Sequence, residues 1–280
     1  MYPHTVLLTS IPPISNSPGR EEKVRYQKLC IDSWIQTGHR PISLNTYDEY
    51  LEVSSVFPEI EYAFAYRSTE DINGRKLVFL HDALLLGLEQ AACRIAISNA
   101  DVLFEPKVQF VEHIAHDVPF AYSNRLDVKS IAQLSSGTPF FGIDYVNMSN
   151  DFVASLPESV FVLGLPWWDY WLPIEYLSRG GTPIRLEWGG MPLLRHHTHG
   201  DRWNASSLVY LGTHFASLVG QTTELDKSNL LSLTDSWRSF DQTSRGRTTE
   251  YGAVFFAMIA RHTSQHIFAN SVSFDFGGSI

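Results

Sequence analysis

The sequence predicts an α/β fold, with a mostly parallel central sheet flanked by helices and a helical C-terminal part. Three observations carry this. Through the first two thirds of the chain, short apolar runs alternate with segments of helical period. After about Gly164 the texture changes to clustered aromatics, Gly pairs and then further helix-period segments. No internal repeat, low-complexity tract or long linker interrupts the 280 residues. One domain is therefore expected over residues 1–280, with an α/β core over 1–200 and a helical extension over 201–280.

Taken in order, Thr5–Ile11 is an apolar run stopped by Pro12-Pro13, a buried strand. Ser17-Pro18 starts a helix whose first turn holds Glu21 and Glu22 and whose end is set by Gly38. Pro41–Asn45 and Glu61–Tyr66 read as strands around a short helix, Tyr47–Phe57. Arg75–Ala92 carries a stripe of Leu77, Leu80, Leu84, Leu85 and Leu88 and reads as the clearest helix. Arg94–Ser98 is a β-branched strand running into Asn99-Ala100-Asp101, and Lys107–His116 is an amphipathic helix. Val118–Ser123 and Phe140–Met148 are strands, with Asn124–Thr138 a polar surface loop between them. Ala205–Leu218, Leu225–Trp237 and Thr248–His262 are the helices of the extension.

Composition excludes several classes. A chain with 44% hydrophobic and 18% charged residues has the apolar content to fold. Its 21 basic and 30 acidic residues leave a net charge of −9, so no basic footprint for nucleic acid or an anionic membrane is expected. No apolar run reaches the roughly 20 residues of a transmembrane segment, and no basic region precedes Val6–Leu8, so no secretory signal is expected. Two isolated cysteines, Cys30 and Cys93, form neither a disulfide framework nor a zinc knuckle, and a cytoplasmic location is expected.

Four groups of residues have chemistry. Asn99 and Asp101 follow a strand, where open α/β sheets bind ligands, and their spacing puts both on one side of an extended segment. They suit a divalent cation bound to a diphosphate, but from these residues alone a plain turn before Val102 is the better reading. His197 and His199 are two apart and project together if extended, with His196 pointing away. They suit a metal, and equally a surface cluster on Trp203. Trp167-Trp168-Asp169-Tyr170-Trp171 sets a carboxylate among aromatic rings. This suits a sugar-stacking site with Asp169 as general base, and equally a packed helix start capped by Asp169. Phe141-Gly142-Ile143-Asp144 ends a strand after the loop bearing Arg125 and Asp127. Here Gly142 admits close backbone approach and Asp144 suits a hydroxyl, while Arg125 and Asp127 also suit a surface ion pair. Phosphate-binding P-loop, dinucleotide, nucleophile-elbow and zinc-protease motifs are absent from the sequence.

The order of these groups resembles nucleotide-sugar glycosyltransferases of the GT-A fold. The resemblance rests on Thr9-Ser10-Ile11-Pro12-Pro13, Asp32-Ser33-Trp34, Ser43-Leu44-Asn45, Ser98-Asn99-Ala100-Asp101-Val102, Phe141-Gly142-Ile143-Asp144 and Trp167–Leu172. It implies a GT-A-like (Rossmann-like) sheet and transfer of a sugar from a nucleotide-diphosphate sugar donor to a hydroxyl of a glycan or glycoconjugate acceptor. It also implies help from Mn2+ or Mg2+. Asp101 matches the last Asp of the family's metal motif, and Asn99 replaces the first. Thr9, Ser10, Ile11, Asn45, Arg75, Lys76, Asn99 and Asp101 are the implied donor-binding residues. Asp101 with His197 or His199 is the implied metal set. Asp169 and Asp144 are the expected catalytic pair, and Trp167, Trp168, Arg125 and Asp127 the expected acceptor-binding residues. The rival readings are a non-catalytic nucleotide- or carbohydrate-binding module, a metal-dependent hydrolase of phosphorylated sugars, and an interaction protein.

Overall fold

The structure is a computed structural model, and it describes residues 5–14, 19–70, 75–90, 92–104, 114, 118–130, 137–198, 205–219, 236 and 249–277. Strand β1 (Thr5–Thr9), helix α1 (Arg20–Gln36), β2 (His39–Asn45), α2 (Tyr47–Val56) and β3 (Glu61–Phe64) open the chain. Then follow α3 (Leu80–Glu89), β4 (Arg94–Ser98), β5 (Val102–Phe104), β6 (Phe120–Val128), β7 (Thr138–Ser149) and α4 (Asn150–Ala154). The remainder is α5 (Trp168–Ser178), β8 (Ile184–Trp188), β9 (Met191–Pro192), β10 (Leu194–His197), α6 (Ala205–Val219), α7 (Thr249–Ala269) and β11 (Val272–Asp275).

The strands form a mixed, mostly parallel sheet in the order β11-β8-β6-β7-β4-β1-β2-β3, an α/β Rossmann-like arrangement. β10 joins β5 and β6, and β9 joins β8. From β1 the chain moves outward through β2 and β3, then returns to place β4 on the other side of β1, all in parallel. That reversal of direction opens a crevice at the carboxyl ends of β1 and β4. β7 runs antiparallel to β4 and to β6, bringing Tyr145 opposite Ser98. β1 and β4 are buried at every position, as strands covered on both faces must be.

Several boundaries differ from the sequence reading. The helix expected from Arg75 begins at Leu80, because Val78 and Phe79 bridge to Ser68 and Val162 and the Leu80 N–H is taken by the Phe161 carbonyl. Extended pairing to neighbours outweighs the local helical stripe, so Arg75 and Lys76 lie in a connecting segment. The segment Asn124–Val128, expected to start a loop, continues β6. Its alternating side chains bury Asn124, Leu126 and Val128 and leave Arg125 and Asp127 half-buried on the other face. The C-terminal part is not wholly helical, since β11 pairs with β8 at the sheet's edge. The expected helices Lys107–His116 and Leu225–Trp237 and the helix start at Ser17-Pro18 lie largely or wholly outside the described residues.

Helices α6 and α7 pack through Gly212, where an added Cβ would sit 2.4 Å from the Phe256 ring. Phe256 is fully buried and has no room to give. Gly212→Ala is therefore expected to lower the melting temperature in circular dichroism. Overpacking costs ~1–3 kcal/mol against a helix-propensity gain of ~1 kcal/mol.

Candidate active site

A cavity of about 910 Å3 lies outside the carboxyl ends of β1 and β4. Its walls include Thr9 and Ser10 after β1, Asn99 and Asp101 after β4, Arg125 and Asp127 of β6, and Asp144 of β7. Arg75, Lys76, Trp167, Trp168, Asp169 and His196 complete its polar half.

Helix α1 pins the turn that carries Asp101. Tyr26 donates its hydroxyl to the Asp101 carbonyl (2.9 Å), Gln27 Nε2 to the Ala100 carbonyl (2.7 Å) and Trp34 Nε1 to the Val102 carbonyl (2.9 Å). Asn99 faces the other way. Its Nδ2 donates to Asp144 Oδ1 at 2.5 Å, so its amide braces a neighbouring carboxylate.

The β6–β7 pairing is irregular here. Asn124 stands opposite Ile143 and Arg125 opposite Phe140, which loops out Phe141 and Gly142. Asn124 Nδ2 donates to the carbonyls of both looped residues. Gly142 is needed because a Cβ there would lie 2.3 Å from the ring of Phe140, so the close approach expected of this glycine is made by the protein's own aromatic ring. The irregularity turns Arg125 into the cavity. Its guanidinium donates to Asp127 Oδ1 (2.8 Å) and Asp144 Oδ1 (2.7 Å) and lies 4.2 Å over the Phe140 ring. Asp144 Oδ2 is left buried with no hydrogen-bond partner.

β10 brings His196 beside Asp127 and Val102 in register. His196 Nδ1 is 3.0 Å from Asp127 Oδ1, and Nε2 is 3.8 Å from Asp101 Oδ2. Burial pulls this imidazole's pKa down, but Asp101 and Asp127 outweigh it and raise it to about 9. The expectation for His197 is corrected: its ring packs edge-on against Tyr26 with Nε2 near the Lys129 carbonyl, and it does not line the cavity. The strand alternates as expected but with the opposite parity, so His196 faces Asp101. His199 lies outside the described residues.

Asp169 sits in the first turn of α5, and its Oδ1 accepts from the Trp167 N–H at 3.0 Å. The carboxyl is partly open to the cavity yet densely surrounded by protein. Burial, and then the Asp144 charge, raise its pKa to about 7. Trp167 holds a left-handed conformation, φ 91° and ψ −25°, the one non-glycine with positive φ among the described residues. Its indole Nε1 donates to the Leu208 carbonyl (2.9 Å) and its ring stacks on Phe215 (4.9 Å). Trp167 and Trp168 are 0% and 1% exposed, so neither presents a bare face for a sugar, and the stacking expectation is corrected to a packing role.

Ile11 and Asn45 do not line the cavity either. Asn45 Nδ2 donates to the Ile11 carbonyl, Ser43 Oγ donates to Asn45 Oδ1, and the Ile11 N–H donates to Ser43 Oγ. This closed set fixes the segment after β1. Thr9 Oγ1 is buried without a hydrogen-bond partner. Lys76 Nζ is 2.9 Å from Asp48 Oδ2, and Arg75 gives its carbonyl to Thr69 Oγ1.

Among the described residues no three His, Cys, Asp or Glu side chains converge on a metal position. The imidazole of His196 is set between two carboxylates, with Asp101 Oδ2 at 3.8 Å from Nε2 and Asp127 Oδ1 at 3.0 Å from Nδ1. The Asp127 bond to Nδ1 fixes the orientation of the ring.

No family model matches the sequence, and no curated protein matches it. Among solved structures, the chain is similar to glucosyl-3-phosphoglycerate synthase from Mycobacterium tuberculosis, in complex with Mn2+, uridine diphosphate and phosphoglyceric acid. That match has 13% identity, covers 81% of this chain and 80% of that one, and has a TM-score of 0.45. It is also similar to the inositol-1-phosphate CTP transferase from T. maritima, with 13% identity, 78% and 96% coverage and a TM-score of 0.41. A third is 4-diphosphocytidyl-2C-methyl-D-erythritol synthase from Anaerococcus prevotii DSM 20548, with 10% identity, 65% and 87% coverage and a TM-score of 0.39. Likeness of this extent assigns neither a family nor an activity to the chain. Among the described residues no helix is long and apolar enough to cross a membrane.

Proposed function

We propose that this chain is a glycosyltransferase that moves a sugar from a nucleotide-diphosphate sugar to an acceptor hydroxyl, with inversion at the anomeric carbon. The observation that carries the reading is Asp169, whose carboxyl is held near neutrality in the same cavity as Asp101 at the end of β4. A general base works best with a pKa close to the working pH. Asp169 takes the proton of the acceptor hydroxyl as its oxygen bonds to the anomeric carbon. The bond from that carbon to the diphosphate oxygen breaks, and its electron pair leaves with the nucleoside diphosphate.

The other residues bind and orient. Asp144 Oδ2, buried and unpaired, is relieved by a sugar hydroxyl donating to it. Arg125 and Asn99 hold that carboxylate still through Oδ1. Arg75 and Lys76 meet the diphosphate, and Thr9 and Ser10 the nucleoside. Asp101 and His196 are the residues that would hold Mn2+ or Mg2+, which when bound offsets charge on a departing diphosphate.

The test is a thermal-shift panel of nucleotides and nucleotide sugars with and without manganese, followed by transfer assays with the donor that binds. Ligand at a hundredfold excess over its Kd stabilises by ~2.7 kcal/mol, so a donor registers before its acceptor is known. Asp101→Ala is expected to abolish the manganese-dependent part of donor binding; an unchanged manganese response removes Asp101 from this role. A second reading, a non-catalytic nucleotide- or carbohydrate-binding module, is favoured by Asn99, which supplies an amide where the family's motif has a carboxylate. Donor binding without turnover by any acceptor supports that reading over transfer.

A further inference from the structure

The cavity has two unlike halves. Carboxylates and cations face it from β6, β10 and the turn after β4, but its walls also include Phe140 and Phe141 of β7, Leu163 and Leu165 before α5, and Ala257 and Ala260 of α7. Phe141 is 62% exposed there, high for a large apolar ring on a cavity wall. Positions 257, 260 and 264 lie on one stripe of α7 and carry only Ala, Ala and Ser, small side chains that line the same cavity as the two phenylalanines. Ser264 Oγ donates to the Phe141 carbonyl at 3.2 Å, so the helix and the strand that frame this space are tied together. The apolar half is continuous with the polar one, where Asp144 Oδ2 is buried and unpaired and Asp169 has its raised pKa.

We propose that the acceptor is an amphiphile: a hydroxyl-bearing head attached to an apolar chain or ring, which lies between Phe141 and the small stripe of α7 while the head reaches Asp169. This rests on the transfer reading above. The alternative acceptor, a free glycan, fits this half poorly. Among the described lining residues Arg261, Ser264 and Gln265 are the polar groups α7 offers, and sugar hydroxyls set against Phe and Leu walls lose water without gaining partners. Apolar groups lose nothing comparable there and gain burial. In the transfer itself the head's O–H proton passes to the Asp169 carboxylate, the new bond joins that oxygen to the anomeric carbon, and the nucleoside diphosphate leaves with the electron pair.

The experiment is calorimetric titration of the protein with three glucosides below any micelle-forming concentration: methyl, octyl and p-nitrophenyl. Octyl or p-nitrophenyl glucoside is expected to bind at least tenfold more tightly than methyl, and the two arms tell a chain from a ring. Equal binding of all three overturns the inference. Ala260→Trp, which fills the space, is expected to erase the difference. Phe141→Ser removes one wall from an exposed position, and it is expected to reduce the difference at least threefold. A preference that survives in folded forms of both variants overturns the assignment to this half of the cavity. The donor panel is read separately. A donor response with no apolar preference overturns this inference and leaves the transfer reading standing. An apolar preference with no donor response supports the apolar subsite and overturns transfer.

Discussion

Asp169→Asn is expected to lower the rate of sugar transfer by a hundred- to ten-thousand-fold while donor affinity stays within a few-fold of wild type, because loss of a positioned base costs roughly that much. The substitution preserves shape, and the amide oxygen still accepts from the Trp167 N–H as the Asp169 Oδ1 does at 3.0 Å. In the wild type the rate is expected to rise with pH through about 7, as the carboxyl loses its proton. Stability runs the other way. The folded-state pKa is raised from 3.8 to about 7, so across that window the native state holds a proton that the unfolded chain has released. The stabilisation is complete below pH 3.8 and is lost as pH rises through about 7. The asparagine variant carries no charge at this position at any pH. Above neutrality it is therefore expected to melt no lower than wild type, and to melt higher if burial of the charge is the dominant cost. Activity and stability thus move in opposite directions on one substitution, which a purely structural capping role does not produce. Transfer at the wild-type rate returns Asp169 to the cap.

Much of this arrangement was legible in the sequence. The alternation of Thr5–Thr9, His39–Asn45 and Arg94–Ser98 with helices pointed to a parallel sheet, and an Asn-x-Asp after β4 to its open end. Other features were set by contacts between distant segments. Periodicity places alternate histidines on opposite faces of β10, but the parity toward Asp101 depends on its pairing with β5 and β6, strands far away in the chain. The start of α3 depended on a bridge to Val162, and the inward turn of Arg125 on an irregularity between β6 and β7. His196 is the cavity-lining residue the spacing argument set aside. The aromatic cluster is unusual, as its sequence suggested, but its rings serve to bury and strain the backbone that carries Asp169.

Trp167→Ala is expected to be among the most destabilising single substitutions in the chain, at ~3–5 kcal/mol, since it empties a fully buried indole site. The Nε1 bond to Leu208 and the contacts with Phe215 and Phe256 go with it. Trp167→Gly removes the same atoms but tolerates φ 91°, where a side chain costs ~1–2 kcal/mol. Glycine is therefore expected to be the milder replacement by about 1 kcal/mol, the reverse of the ranking in a helix interior. Chemical denaturation of both variants measures this directly, and an alanine variant more stable than the glycine one removes the strain argument. The same pair tests what the strain is for. With the indole gone, water reaches Asp169, burial no longer holds its pKa near 7, and the pH–rate profile is expected to shift toward the ordinary carboxylate range in whichever variant still folds. A profile that stays in place while stability falls limits Trp167 to packing. A shift makes it the residue that positions the base, by holding the first turn of α5 at the back of the cavity against α6 and α7.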